Sequence, residues 1–184
     1  MKTIQAAVLL LLLSAIGGGL FVYSGAYDIG ADVPHTPLVY SILETLRDRA
    51  VKKHAAGIQV PALDDPQLIA DGAEHYAAMC SGCHLAPGVD DSEIRPGLYP
   101  QPPELYKQKG ENPAEQFWVI KHGIKLSAMP AWGPTHDDRK IWGMVAFLQA
   151  LPRLTPQQYA QMTAGAEAGH EAHEHHHDEA ATAH

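Results

Sequence analysis

Cys80-Ser81-Gly82-Cys83-His84 constrains this chain more than any other stretch. The chain has 2 cysteines, and both lie here. Two thiols three positions apart near the end of a helix point the same way, and the imidazole that follows is held beside them. Such a trio can add its sulfurs to the two vinyl groups of a haem and set His84 beneath the iron, the C-x-x-C-H attachment pattern. Other chemistries need what the chain lacks. A zinc ribbon needs a second ligand pair, and there is no second cysteine pair. A thioredoxin-like dithiol needs a βαβ setting, whereas this motif sits in helical surroundings. A bare disulfide stays open as an alternative.

The chain's 184 residues suit one domain with appendages. Acids outnumber bases 21 to 13, for a formal charge of -8, and no basic cluster points to nucleic acid. The excess is uneven. Pro66 to Pro152 holds 10 acids and 7 bases, while Arg153 onward holds 5 acids and 1 base. Much of the acidity therefore belongs to the tail.

Lys2 precedes an apolar run from Ile4 to Tyr23. A basic flank and then a hydrophobic stretch make residues 1–26 a signal sequence or an uncleaved membrane anchor. Ser24-Gly25-Ala26 supplies small residues for cleavage. The length of the run favours the anchor, because a bilayer takes about 20 apolar residues. Lys2 would then be cytoplasmic, with Asp28 and Asp32 outside. Either outcome carries the motif across the membrane, where haem is attached to c-type proteins. The expected location is the periplasmic side, anchored to the inner membrane, with a soluble periplasmic form as the alternative.

Residues 27–62 read as a linker and an amphipathic helix. Thr36-Pro37 starts it, Leu38, Val39, Ile42, Leu43, Leu46 and Ala50 recur at helical spacing, and Gly57 ends it. Its apolar face is expected against the main domain, with docking on a membrane partner as the other reading. His35, between two prolines, reads as a loop residue. Residues 63–162 form the main domain. Asp65-Pro66 opens a helix leading into Cys80, and its Gly72 predicts close approach of another helix. His75 and Met79 read as packing or surface residues on that helix.

The stretch from Leu85 to Gly110 is rich in Pro and Gly, with apolar residues between them. It reads as a rigid wrapping loop. Arg95 and Tyr99 are candidate contacts for haem propionates, and a carbonyl near Pro87 is expected to accept the second proton of His84. Pro113 to His122 is helical. Met129-Pro130 follows on a short loop, and Met129 is the candidate for the second axial ligand, against His122, His136 and Met144. Thr135 is expected to cap a last core helix through Trp142 and Val145, which are expected to cross the Gly72–Tyr76 face. A short helix from Thr155-Pro156 to Met162 is expected on the surface.

Residues 163–184 have almost nothing to bury and are expected to be disordered. Half of the 12 histidines lie there. His170, His173, His175, His176 and His177 form a candidate second site for Cu, Zn or Ni, against a solvated tail.

The stretch from about Asp65 to Leu151 resembles the bacterial monohaem class I cytochrome c domain. The resemblance rests on the helix entering Cys80–His84, on the Met129-Pro130 loop with Trp132 after it, and on the closing helix around Trp142. It implies an all-α fold, a cytochrome c-like helical domain around one covalently bound haem c, with an extra N-terminal amphipathic helix. By the same resemblance Cys80 and Cys83 are thioether positions, His84 is proximal and Met129 distal. The Pro-containing loop that supports the proximal His in many members has no evident counterpart.

The function expected is that of a one-electron carrier, not an enzyme, between a donor and an acceptor redox protein, including a membrane oxidase or dehydrogenase complex. Lys107, Lys109, Lys121, Lys125 and Lys140 are candidates for steering an acidic partner, or are solvated charges. Two alternatives remain at this stage: a haem enzyme or sensor with an open sixth position, and a metal-handling cytochrome using the tail.

Overall fold

The structure, a computed structural model, describes residues 1–165. It divides into two compact units, Met1–Pro34 and a second that begins at His35. Seven helices and no strand occur among the described residues. The histidines of the expected second metal site lie outside them.

Helix α1 (Lys2–Ser24) dominates the first unit and buries none of its residues within it. It is long and apolar enough to cross a membrane, a test that a signal sequence near the N-terminus also passes. Gly25 closes it in the left-handed conformation, at φ 64, where glycine carries no steric cost.

The second unit opens with α2 (Pro37–Ala55). Pro37 starts it as expected, but Thr36 makes no side-chain capping bond. The apolar face expected to pack does so only at its C-terminal end. Val51 and Ala55 are buried, while Leu38, Ile42 and Leu46 are 71%, 57% and 63% exposed. His54 stacks on Trp118 with ring centres 5.4 Å apart. Helical spacing gives the width of an apolar face but not what meets it.

Helix α3 (Pro66–Met79) starts where Asp65 accepts from the Gln67 amide at 2.9 Å. It runs into the single-turn α4 (Ser81–His84). Helix α5 (Pro113–His122) is capped by Asn112, which accepts from the Ala114 amide at 3.0 Å. Helix α6 (Asp138–Ala150) closes the core. Its cap is Asp137, which accepts from the Lys140 amide at 2.9 Å, and not the expected Thr135. Thr135 is engaged upstream, its hydroxyl donating to the Trp132 carbonyl, while Asp137 has the extended backbone that turns a cap inward.

The crossing of α3 and α6 is the centre of the core. A Cβ on Gly72 would lie 2.0 Å from the Gly143 carbonyl oxygen, so the two backbones touch and nothing larger than glycine fits. Ile141, Met144, Val145 and Phe147 of α6 are buried around this contact, each worth about 1.5–3 kcal/mol when fully buried. Val145 joins the core as expected, but Trp142 turns the other way. It stacks on Phe117 of α5 with centroids 4.2 Å apart, because Gly143, not Trp142, occupies the point of closest approach. The last helix, α7 (156–165), lies on the surface as expected, with most of its residues exposed, and holds on through one face. Tyr159 and Thr163, one turn apart, are buried at 8% and 1% exposure, and Thr163 donates to the Tyr159 carbonyl at 3.0 Å. The tail expected from residue 163 therefore begins with a buried side chain.

Candidate haem site

Helix α4 fixes the motif's spacing. The Cys83 and His84 amides both donate to the Cys80 carbonyl, at 3.1 and 2.8 Å. Ser81 donates to the Ala77 carbonyl at 2.7 Å, tying the turn to α3, and Ser92 reaches back to the Gly82 carbonyl. Both cysteines are free thiols and half-buried. Burial, and then the neighbouring Cys83, pushes the Cys80 thiol up to about 12.

The chain turns sharply after His84. Leu85 is buried at 1% exposure with φ 58, a conformation that a branched side chain rarely adopts. Such strain persists only where the surroundings over-determine it. Here the buried Tyr76 hydroxyl donates to the Leu85 carbonyl at 2.6 Å. The turn aims His84 so that its Nδ1 lies 2.9 Å from the Pro103 carbonyl oxygen. A carbonyl only accepts, so Nδ1 carries the hydrogen and Nε2 is left with its lone pair. The supporting carbonyl is thus Pro103, not one near Pro87. The proline loop without an evident counterpart is supplied by Pro102-Pro103. Burial lowers the His84 pKa, the Pro103 bond works against that, and nearby Arg95 lowers it further.

Arg95 holds this loop. Its Nη2 donates to the Pro102 carbonyl at 3.1 Å and lies 3.7 Å from Glu104, which also pairs with Lys107. Its Nε is buried without a hydrogen-bond partner. The Tyr99 hydroxyl accepts from the His35 amide at 3.1 Å, and the two rings meet edge to face. A phenol that accepts can also donate.

Met129 stands on the loop between α5 and α6, which folds back on the end of α5. The Trp132 and Gly133 amides donate to the Ile120 and Lys121 carbonyls at 3.0 and 2.9 Å, satisfying groups that a helix end leaves unpaired. The Ile124 amide donates to the Met129 carbonyl at 3.1 Å. Ser127 donates to the Ile124 carbonyl at 2.8 Å and accepts from the Met129 amide at 3.2 Å. Gly123 makes the fold-back possible. Its φ is 65, and a Cβ there would lie 2.7–2.8 Å from three backbone atoms of residues 129–131.

Cys80, Met129, Trp132, Leu105 and Tyr106 all border the same core cluster. The competing ligand candidates are otherwise engaged. Met144 is buried in the helix crossing, His122 is exposed against Trp118, and His136 packs on Trp132 and His75. Sequence reasoning missed Pro103 and Ser127. The paired prolines were the only local sign of the first, and the second carried none.

Two free thiols, an imidazole with an open Nε2 and a buried arginine donor without a partner fit a haem with its propionates. Residues 67–148 match the family described as cytochrome C oxidase, cbb3-type, subunit III. The match covers less than half of the chain but takes in the motif and the Met129 loop. No curated protein and no solved structure matched. Helical fold, attachment motif and family match agree that residues 67–148 form a monohaem class I c-type cytochrome domain with covalently bound haem c.

Proposed function

We propose that the chain is a one-electron carrier whose haem is attached at Cys80 and Cys83 and ligated by His84 Nε2 and Met129 Sδ. When bound, the haem supplies the ferric/ferrous couple. The observation that carries the reading is the His84–Pro103 bond of 2.9 Å, which commits Nδ1 to the protein and orients Nε2 as a ligand. Support for Met129 comes from its loop, whose cross-bonds hold the Met129 backbone without help from a covalent neighbour. A thioether opposite imidazole favours the ferrous state and leaves no position for substrate. Arg95 Nε and the Tyr99 hydroxyl donate to the propionates.

Helix α1 serves as the anchor, and the domain lies on the periplasmic side. The family description favours an oxidase complex as the redox partner. Weak, short-lived contacts suit that exchange. Of the lysines considered for steering, Lys107 and Lys121 are paired with Glu104 and Asp138, which leaves Lys109, Lys125 and Lys140 for a partner.

Met129→Ala tests the ligation. The midpoint potential should fall, and the iron should bind CO and imidazole. An unchanged spectrum and potential would remove Met129 as the ligand.

A further inference from the structure

Outside the haem site, two histidines from different elements meet. His75 of α3 and His136, just before α6, have ring centres 5.5 Å apart at an interplanar angle of 76°. The hydrogen-bond network assigns the His75 tautomer and allows the same one at His136. His75 Nδ1 lies 2.8 Å from the Asp71 carbonyl oxygen, so it must donate. The Thr135 hydroxyl lies 3.3 Å from the Trp132 carbonyl oxygen, to which it donates, and 2.9 Å from His136 Nδ1, from which it can accept. His75 therefore keeps its lone pair on Nε2, and His136 does so in the tautomer whose Nδ1 donates to Thr135. An imidazole whose Nδ1–H is held by a protein oxygen while Nε2 stays free has the arrangement of a metal-bound histidine.

Spacing and charge agree with this. Two imidazoles on one tetrahedral ion, at metal–nitrogen bonds of about 2.0–2.1 Å, have ring centres about 5 Å apart. The pocket beside His75 is lined by Leu68, Asp71, Glu74, Asp137, Arg139 and Lys140, three carboxylates against two cations. Burial first, and then His75 and Lys140, keeps the His136 imidazole below its usual pKa and so neutral, as a ligand must be.

We propose that His75 and His136 form a two-imidazole site for a borderline divalent ion of the Zn(II), Cu(II) or Ni(II) class, separate from the haem. Imidazole suits these ions. Among the described residues no group of three His, Cys, Asp or Glu gathers at one point. Water therefore fills the remaining positions, and the site is exchangeable where a structural zinc site would have four protein ligands. The described chain ends on the same face. A Cβ on Gly165 would lie 3.0 Å from Glu74 Oε1, and His170 follows five residues later in the sequence.

The test uses the full-length holoprotein with the six histidines from His170 to His184 replaced by alanine, so that only the folded domain can respond. Calorimetric titration with Zn(II) should show one saturable site per chain. His75→Ala and His136→Ala should each weaken it at least tenfold, and the double variant should lose it. His75→Gln, which keeps the bulk and polarity, should weaken it as His75→Ala does, with the haem spectrum unchanged. His122→Ala should bind as the parent does. Absence of a saturable site in the parent, or binding that survives the double variant, overturns the proposal.

Discussion

The two loops beside the haem site are built by opposite means. Residues 85–112 are long and stiffened by prolines, and they reach His84 through a single carbonyl, that of Pro103. Residues 123–134 are short, and six hydrogen bonds lash them to the end of α5 and to one another. The difference follows from what each side must hold. His84 rides on a helical turn next to two attachment points, so its loop need only set the ring's rotation. Met129, the proposed second ligand, has no such neighbour, and its backbone is held by its loop. The Met129 side should therefore be the one that gives way when bonds are removed.

Gly123→Ala attacks that side hardest. A backbone at φ 65 and ψ −172 is open essentially only to glycine and costs alanine about 1–3 kcal/mol, and the new Cβ would also meet three backbone atoms at 2.7–2.8 Å. The expected loss is about 2–3 kcal/mol in denaturant unfolding. The ferric Met–iron absorption should weaken while covalent haem remains. A fully retained band would show that the loop does not position the sulfur.

Arg95→Leu attacks the other side. It removes the bond to the Pro102 carbonyl and one of the two cations beside Glu104, for about 1–2 kcal/mol. His84 should stay bound, because the turn of α4 is untouched. Loss of a cation beside the haem should lower the midpoint potential. Arg95→Lys keeps the charge but loses the planar fork, so it should share the stability loss and recover most of the potential. Equal potentials in the two variants would mean that Arg95 acts on the loop alone.

What was legible in the sequence was local. Asp65-Pro66, Cys80–His84, the helix ending at Gly123 and the Met129-Pro130 loop each carry their signal within a few residues, and each is found in place. What was not legible depends on residues far apart. Pro103 stands 19 positions from His84, and only the fold shows which carbonyl arrives. Thr135 was the expected cap, but its hydroxyl goes to the Trp132 carbonyl and Asp137 caps the helix instead. Gly72 announced a close approach, but its partner proved to be Gly143, and Trp142 was left to stack on Phe117. For α2 the sequence showed an apolar face, and the structure leaves most of it uncovered.

The smallest change sharpens the contrast between the loops most. Ser127→Ala deletes one hydroxyl that both donates to the Ile124 carbonyl and accepts from the Met129 amide. No backbone is strained and no clash is made, so the cost should be about 1 kcal/mol. With Met129 as the proposed ligand, the resting spectrum and potential should barely move, because the loop stays closed most of the time. The change should appear in how often the sulfur lets go. Imidazole should displace Met129 several-fold faster than in the parent, since displacement samples the open loop that Ser127 disfavours. Arg95→Leu, though costlier in stability, should leave that rate near the parent's. If it speeds displacement as much as Ser127→Ala does, the two loops open as one unit and the division of labour between them fails.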